Sequence, residues 1–181
     1  MLNVLRKIVQ SVNEASDLAE ALSLVVEGVR DALQSDACSI FLIDEERGEY
    51  VLLAAVGLNQ ESIGKTRLRF GEGLVGLVGE REEPVNLENG KEHPQYRLFK
   101  NVGEEEYQAF MGVPITHQGE SLGILVVQQR DARSFEEEEE AFLVTLSAQL
   151  AGELAHAHCH WAGGCGFSTG GFRRGTGSPC R

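Results

Sequence analysis

Apolar residues recur along this chain at two periods, and the switches between them mark its elements. Leu2, Leu5, Val9 and Val12 fall at helical spacing with Arg6 and Lys7 between them, which predicts an N-terminal helix. Asp17 with Glu20 supplies a cap for a second helix, whose stripe is Leu18, Leu22, Val25, Val29 and Leu33. Residues 38–43 and 50–56 have strand composition, and the polar run 44–48 between them ends in glycine, so the pair predicts a hairpin. Thr66, Leu68 and Phe70 alternate with charged residues, as a short half-exposed strand requires.

The second half repeats the hairpin and closes on a helix. Pro84 opens a short edge strand over residues 84–87, a place where proline is tolerated. Residues 88–107 are irregular and polar, with His93-Pro94, Tyr96 and Phe99 embedded, the composition of a mobile cover over a binding site. Residues 109–115 and 122–127 are strands joined by a polar turn, and the second is apolar enough to predict burial on both faces. Ser134 and Glu137 have the spacing of a capping box opening a long helix with Phe142, Leu146, Leu150 and Leu154 on one stripe. The acidic run 136–140 then serves the positive end of that helix rather than a metal.

Charge and size narrow the class. With 181 residues, 42% hydrophobic, the chain can build one domain with a real core plus a tail. No apolar run approaches the roughly 20 residues of a membrane span. The N-terminus has neither the apolar centre nor the cleavage site of a signal peptide, so a cytoplasmic protein without membrane association is expected. A formal net charge of −12 opposes nucleic-acid binding, and the one basic cluster in the body (Lys65, Arg67, Arg69) reads as a solvated strand face.

Beyond residue 157 the composition changes abruptly. Residues 158–181 hold the sole tryptophan, three of the four cysteines and many glycines and arginines. His156, His158, Cys159, His160 and Cys165 match no established zinc spacing. A domain over residues 1–157 is expected, followed by a disordered tail of out-of-frame or cloning origin. Cys38 is left as the one body cysteine, which excludes a disulfide framework there.

Glycine-rich loops invite a nucleotide reading, which fails here. Gly71, Gly73 and Gly76 match G-x-G-x-x-G literally, but the strands before them pair as hairpins rather than as a βαβ unit. A loop entering a closely packed short helix accounts for them instead. His93 before Pro94 is a turn residue, with no sequence-near carboxylate to orient it as a base.

Several motifs together resemble a known family. They are Cys38-Ser39, Glu72-Gly-Leu-Val-Gly-Leu-Val-Gly79, Glu83-Pro84 with Asn86-Leu87, and His93-Pro94. More specific are Gly112-Val-Pro-Ile115, Gly123-Ile-Leu-Val-Val-Gln-Gln129 and Phe142-Leu-Val-Thr-Leu146. With the order of elements, they resemble a GAF domain, and more narrowly the N-terminal domain of the nitrogen-branch phosphoenolpyruvate–protein phosphotransferases. The resemblance implies an α+β fold, a six-stranded antiparallel sheet with the terminal helices on one face and a small-molecule pocket on the other. It implies a regulatory module whose parent carries its phosphoryl-accepting histidine and Mg²⁺-dependent barrel downstream, so this chain is expected to catalyse nothing and hold no cofactor or metal. Strand parity and family matching place Ser39, Phe41, Phe70, Leu74, Val75, Tyr96 and Phe110 toward the pocket.

The same resemblance sorts the ligands and the rivals. Cyclic-nucleotide-binding members carry Asn-Lys and Phe-Asp where this chain has Gln129-Arg130 and Phe135-Glu136, and bilin attachment needs a cysteine that residues 88–107 lack. The family's nitrogen context makes glutamine or 2-oxoglutarate the ligand candidates by analogy. The enzyme alternative, a GAF-type free methionine sulfoxide reductase, needs a thiolate and a resolving thiol. A pure dimerisation module is the non-catalytic alternative. A parallel homodimer through the terminal helices is expected in either case, because the stripe at Leu2, Leu5, Val9 and Val12 and the off-stripe positions Val144, Ala148 and Ala155 need partners.

Overall fold

Two hydrophobic clusters, one on each face of a single sheet, organise the chain. The structure, a computed structural model, describes the backbone of residues 1–161 and the side chains of residues 1–155. Helices α1 (Leu2–Glu14) and α2 (Leu18–Leu33) lead into strands β1 (Ala37–Asp44), β2 (Glu49–Val56) and β3 (Arg67–Arg69). Helix α3 (Gly73–Arg81), edge strand β4 (Val85–Leu87), strands β5 (Ala109–His117) and β6 (Glu120–Gln129) and helix α4 (Glu137–Trp161) follow. The six strands run in the order β3-β2-β1-β6-β5-β4 with every pair antiparallel, the α+β sheet that the resemblance implied.

Strand alternation decides which cluster each residue joins. Ile40, Met111, Leu125 and Val127 face α2 and α4, whereas Phe41, Phe110, Ile124 and Val126 face α3 and the irregular segment. Residues 123–127 of β6 are all buried, as their unbroken apolar run predicts. The α4 stripe of Phe142, Leu146 and Leu150 is buried too, widened by Leu143 and Ala151. α4 continues to Trp161, and residues 162–181, most of the expected tail with its Cys165, lie outside the described residues.

Three local expectations meet different outcomes. The cap of α2 forms as read: Asp17 accepts from the Glu20 N–H at 2.8 Å, while the Glu20 carboxylate accepts from the Ser16 N–H at 2.8 Å. The Ser134 capping box does not form. Ser134 is exposed and makes no hydrogen bond among the described residues, and α4 starts instead from a tertiary brace. Asn86 on β4 donates to the Phe135 carbonyl at 2.8 Å and accepts from the Phe135 N–H at 3.1 Å. The Glu139 carboxylate accepts from the Glu136 N–H at 2.7 Å and takes both prongs of Arg133 at 2.9 and 3.0 Å. Burial of Phe135, whose ring lies 4.4 Å beneath the Arg133 guanidinium, pulls the helix start past Ser134.

The α1 stripe divides between the domain core and the exposed surface. Ile8 is its buried centre, and it fits because Gly28 of α2 has no side chain: a Cβ there would lie 2.7 Å from Ile8 Cγ1. Leu5, Val9 and Val12 pack against the same cluster, so most of the stripe expected to need a partner is satisfied within the chain. Leu2 remains 83% exposed.

Candidate functional site

The space between the sheet, α3 and the irregular segment closes around a cavity of about 30 Å³. Ser39 and Phe41 reach it from β1, Phe110 from β5, and Leu74 and Val75 from the first turn of α3, with Tyr96 closing the cover side. Six of the seven residues selected from the sequence therefore line one cavity. Phe70 does not: it lies just past the three-residue β3, is 51% exposed, and stacks edge-on against Tyr50 with ring centroids 5.0 Å apart. Its alternation with Leu68 ends because the chain turns at Gly71, where φ is +77°. A Cβ on Gly76 would approach the Gly71 carbonyl carbon to 2.4 Å, so this loop folds back onto its own helix. That contact explains the glycines by close packing.

Of the polar lining, Ser39 and Tyr96 were legible in the sequence and the rest was not assigned. Glu104, Gln128, Thr66 and Arg97 join the apolar residues. Gln128 has a parity signal, since Ser39 pairs with Val126 on β6 and position 128 shares its face. Glu104 and Arg97 lie in irregular chain, where no periodicity assigns a direction. The Glu104 carboxylate accepts from the Phe99 N–H at 3.3 Å. Burial pushes its pKa above the ordinary carboxylate range and the neighbouring Glu105 adds to this, while bonds from Phe99 and Gln128 oppose it. Burial, then Glu104 and Glu105, also raise the Tyr96 phenol.

Outside the cavity is a cleft of about 700 Å³ open to solvent, bordered by Arg69, Phe70, Glu72, Pro94 and Gln95. Arg97 sits at its edge with Nη1 2.7 Å from Glu72 Oε1. His93 is a turn residue as expected, its Nδ1 accepting from the Gln95 N–H at 3.1 Å. Arg67, a member of the basic cluster, is neutralised by Asp44 at 2.9 Å and Glu49 at 3.3 Å.

Cys38 points away from all of this, into the helix-side cluster, and is 1% exposed. Burial drives its thiol pKa far above the ordinary value, outweighing a Ser39 backbone bond and the charge of Arg30. Such a thiol has little thiolate character at neutral pH, and reductase chemistry would need a thiolate. Among the described residues no group of three or more His, Cys, Asp or Glu gathers as metal ligands, and no helix is long and apolar enough to cross a membrane.

A six-stranded antiparallel sheet with α1, α2 and α4 on one face, and α3 with the cavity on the other, defines an α+β domain. The GAF domain family model matches residues 17–154, and the chain belongs to the GAF family. It is 43% identical over 157 residues to an Escherichia coli (strain K12) protein described as "phosphoenolpyruvate-dependent phosphotransferase system", covering 87% of this chain and 21% of that protein. The chain thus spans about a fifth of the length of that relative. The GAF domain of a phosphoenolpyruvate–protein phosphotransferase from Coxiella burnetii superposes with a TM-score of 0.85 at 55% identity, covering 89% of this chain and 96% of that one. The corresponding Acinetobacter domain gives a TM-score of 0.80 at 45% identity, with the same coverage of 89% and 96%.

Proposed function

We propose that this chain is the regulatory, small-molecule-sensing domain of a phosphoenolpyruvate–protein phosphotransferase, modulating phosphoryl transfer carried out by downstream domains and catalysing no step itself. The observation that carries this reading is the covered cavity, in which an apolar lining holds the convergent polar groups Ser39, Glu104 and Gln128. That combination characterises small-molecule sites, where a few polar groups fix orientation within an apolar wall. The likeness to phosphotransferase GAF domains supports the parent activity and a cytoplasmic setting. By analogy with the nitrogen context, glutamine and 2-oxoglutarate are the ligands to test first, with neither nucleic acid nor membrane as a partner. Binding to the native state alone raises the melting temperature. A shift with either metabolite at millimolar concentration, lost in Val75→Trp, supports the reading, and no shift with any metabolite across a broad screen overturns it.

The exposed apolar residues favour a second property, a homodimer through the terminal helices. Leu2 is 83% exposed, Val4 36% and Val144 41%, on α1 and α4 of the same helical layer. A symmetric pairing would cover these residues together. Residues 158–181 are proposed to add nothing to the domain, so their deletion leaves the melting temperature unchanged.

A further inference from the structure

Tyr96 and Arg97 are the residues common to the small cavity and the open cleft. At this point one stretch of chain borders both spaces. The Tyr96 N–H donates to the His93 carbonyl at 2.9 Å within the segment, and side chains tie it to the rest of the domain. Arg97 pairs with Glu72 at 2.7 Å, and Gln95 Nε2 donates to the Gly71 carbonyl at 3.0 Å and to Glu80 Oε2 at 3.2 Å. On the cavity side Phe99 lies across Gly73, where a Cβ would approach its Cε2 to 3.0 Å, and its ring helps to fill the cavity.

The far end of the same stretch is fixed differently. The Val102 carbonyl accepts from the Asn59 N–H at 2.8 Å, and Asn59 Nδ2 donates to the Asn101 carbonyl at 2.9 Å. Asn101 and Gly103 carry φ of +78° and +84°, so the chain reverses sharply on either side of this anchor. Residues 95–99 thus hang between a firm anchor and a polar latch on an exposed surface. The Arg97 side chain is 65% exposed, so solvent competes for its ion pair and the latch is weak. The cavity, at about 30 Å³, is far below the ~300–1,000 Å³ of ordinary ligand sites, so any metabolite needs this wall to move.

We propose that residues 95–99 are a gate, latched by Arg97 on Glu72 and by Gln95 on Gly71 and Glu80, and that the cleft beside Phe70 is the entrance to the cavity. The gate rests on the reading of the cavity as a ligand site, but its opening is measurable without any ligand. Ser39, 2% exposed and lining the cavity, is replaced in the full chain by the near-isosteric cysteine (Ser39→Cys) as a reporter. Its alkylation by iodoacetamide is followed by peptide mass spectrometry with fragmentation to separate it from Cys38. Cys38, on the opposite face of the sheet, reports opening of the whole domain.

Arg97→Gln or Gln95→Ala should accelerate modification at position 39 about two- to fivefold each, the range expected for an exposed polar latch, and the double variant more. Cys38 should stay unreactive, and Arg130→Ala, which breaks exposed pairs with Asp36 and Glu106, should leave position 39 unchanged. Equal rates in latch variants and the unaltered chain overturn the gate, as does parallel acceleration of Cys38 or an equal effect of Arg130→Ala. If Ser39→Cys does not fold, Thr66→Cys, on the same lining, replaces it as reporter. Should latch variants open the cavity while no metabolite shifts the melting temperature, the gate stands and the sensing function falls. Ligand binding with no latch effect leaves the sensing function standing and removes the gate.

Discussion

Asn86→Ala tests whether the start of α4 is set by the sheet or by its own sequence. The Asn86 amide acts as a substitute strand partner for Phe135, donating at 2.8 Å and accepting at 3.1 Å. Each such bond contributes about 0.5–1.5 kcal/mol net, so losing both costs about 1–3 kcal/mol. The site is part-buried and water can reach some of the freed backbone groups, which places the expectation in the lower half, about 1–2 kcal/mol. For a domain of this size that lowers the melting temperature by roughly 2–8 °C. Urea unfolding of the unaltered chain, Asn86→Ala and Ser134→Ala measures it, with an unchanged m-value showing that stability alone has moved. Ser134→Ala should fall within about 0.5 kcal/mol of the unaltered chain, because Ser134 caps nothing. Asn86→Asp keeps the acceptor, loses the donor and sets a charge near Glu140 Oε2, 3.4 Å from the present amide nitrogen, so it should be at least as damaging at neutral pH. An Asn86→Ala cost below about 0.5 kcal/mol, or a Ser134→Ala cost matching it, would refute the brace.

Glu104→Gln should raise the melting temperature at neutral pH. The folded state holds the Glu104 proton more tightly than the unfolded chain, so its stabilising effect is full at acid pH and lost as pH rises through the raised folded-state value. The gain in the variant should therefore shrink in melts at progressively lower pH, and a pH-independent difference would contradict this. Leu143→Ala, at a fully buried position facing the sheet, should cost about 2–5 kcal/mol in urea unfolding, and a loss below about 1 kcal/mol would mean the helix is not seated there. Leu2→Glu with Val144→Glu should give a folded monomer by sedimentation if the terminal helices pair, with the melting temperature of the domain little changed. Leu5→Glu with Val9→Glu should instead destabilise the fold itself, because those side chains pack on the intrachain core.

Period and parity carried most of the architecture. The alternation in β1 and β5 dictates that Ser39, Phe41 and Phe110 share a face, and backbone geometry leaves no freedom in that choice. The unbroken apolar run of β6 required cover on both sides, and the Asp17 cap of α2 is a contact between residues three apart. Such signals are local, so the sequence contains them whole. Periodicity could not say where α4 begins, because Ser134 offered a sound local cap that lost to burial of Phe135 and the reach of Asn86 across 49 residues. Nor could it say that Leu5, Val9 and Val12 pack against the core, since that depends on Gly28 giving Ile8 room on a different helix. Part of the polar lining of the cavity was hidden for the same reason. Glu104 and Arg97 lie in chain without a repeat, and their direction is fixed by Phe99, five residues from Glu104, and by Glu72 and Asn59, which the fold alone brings near.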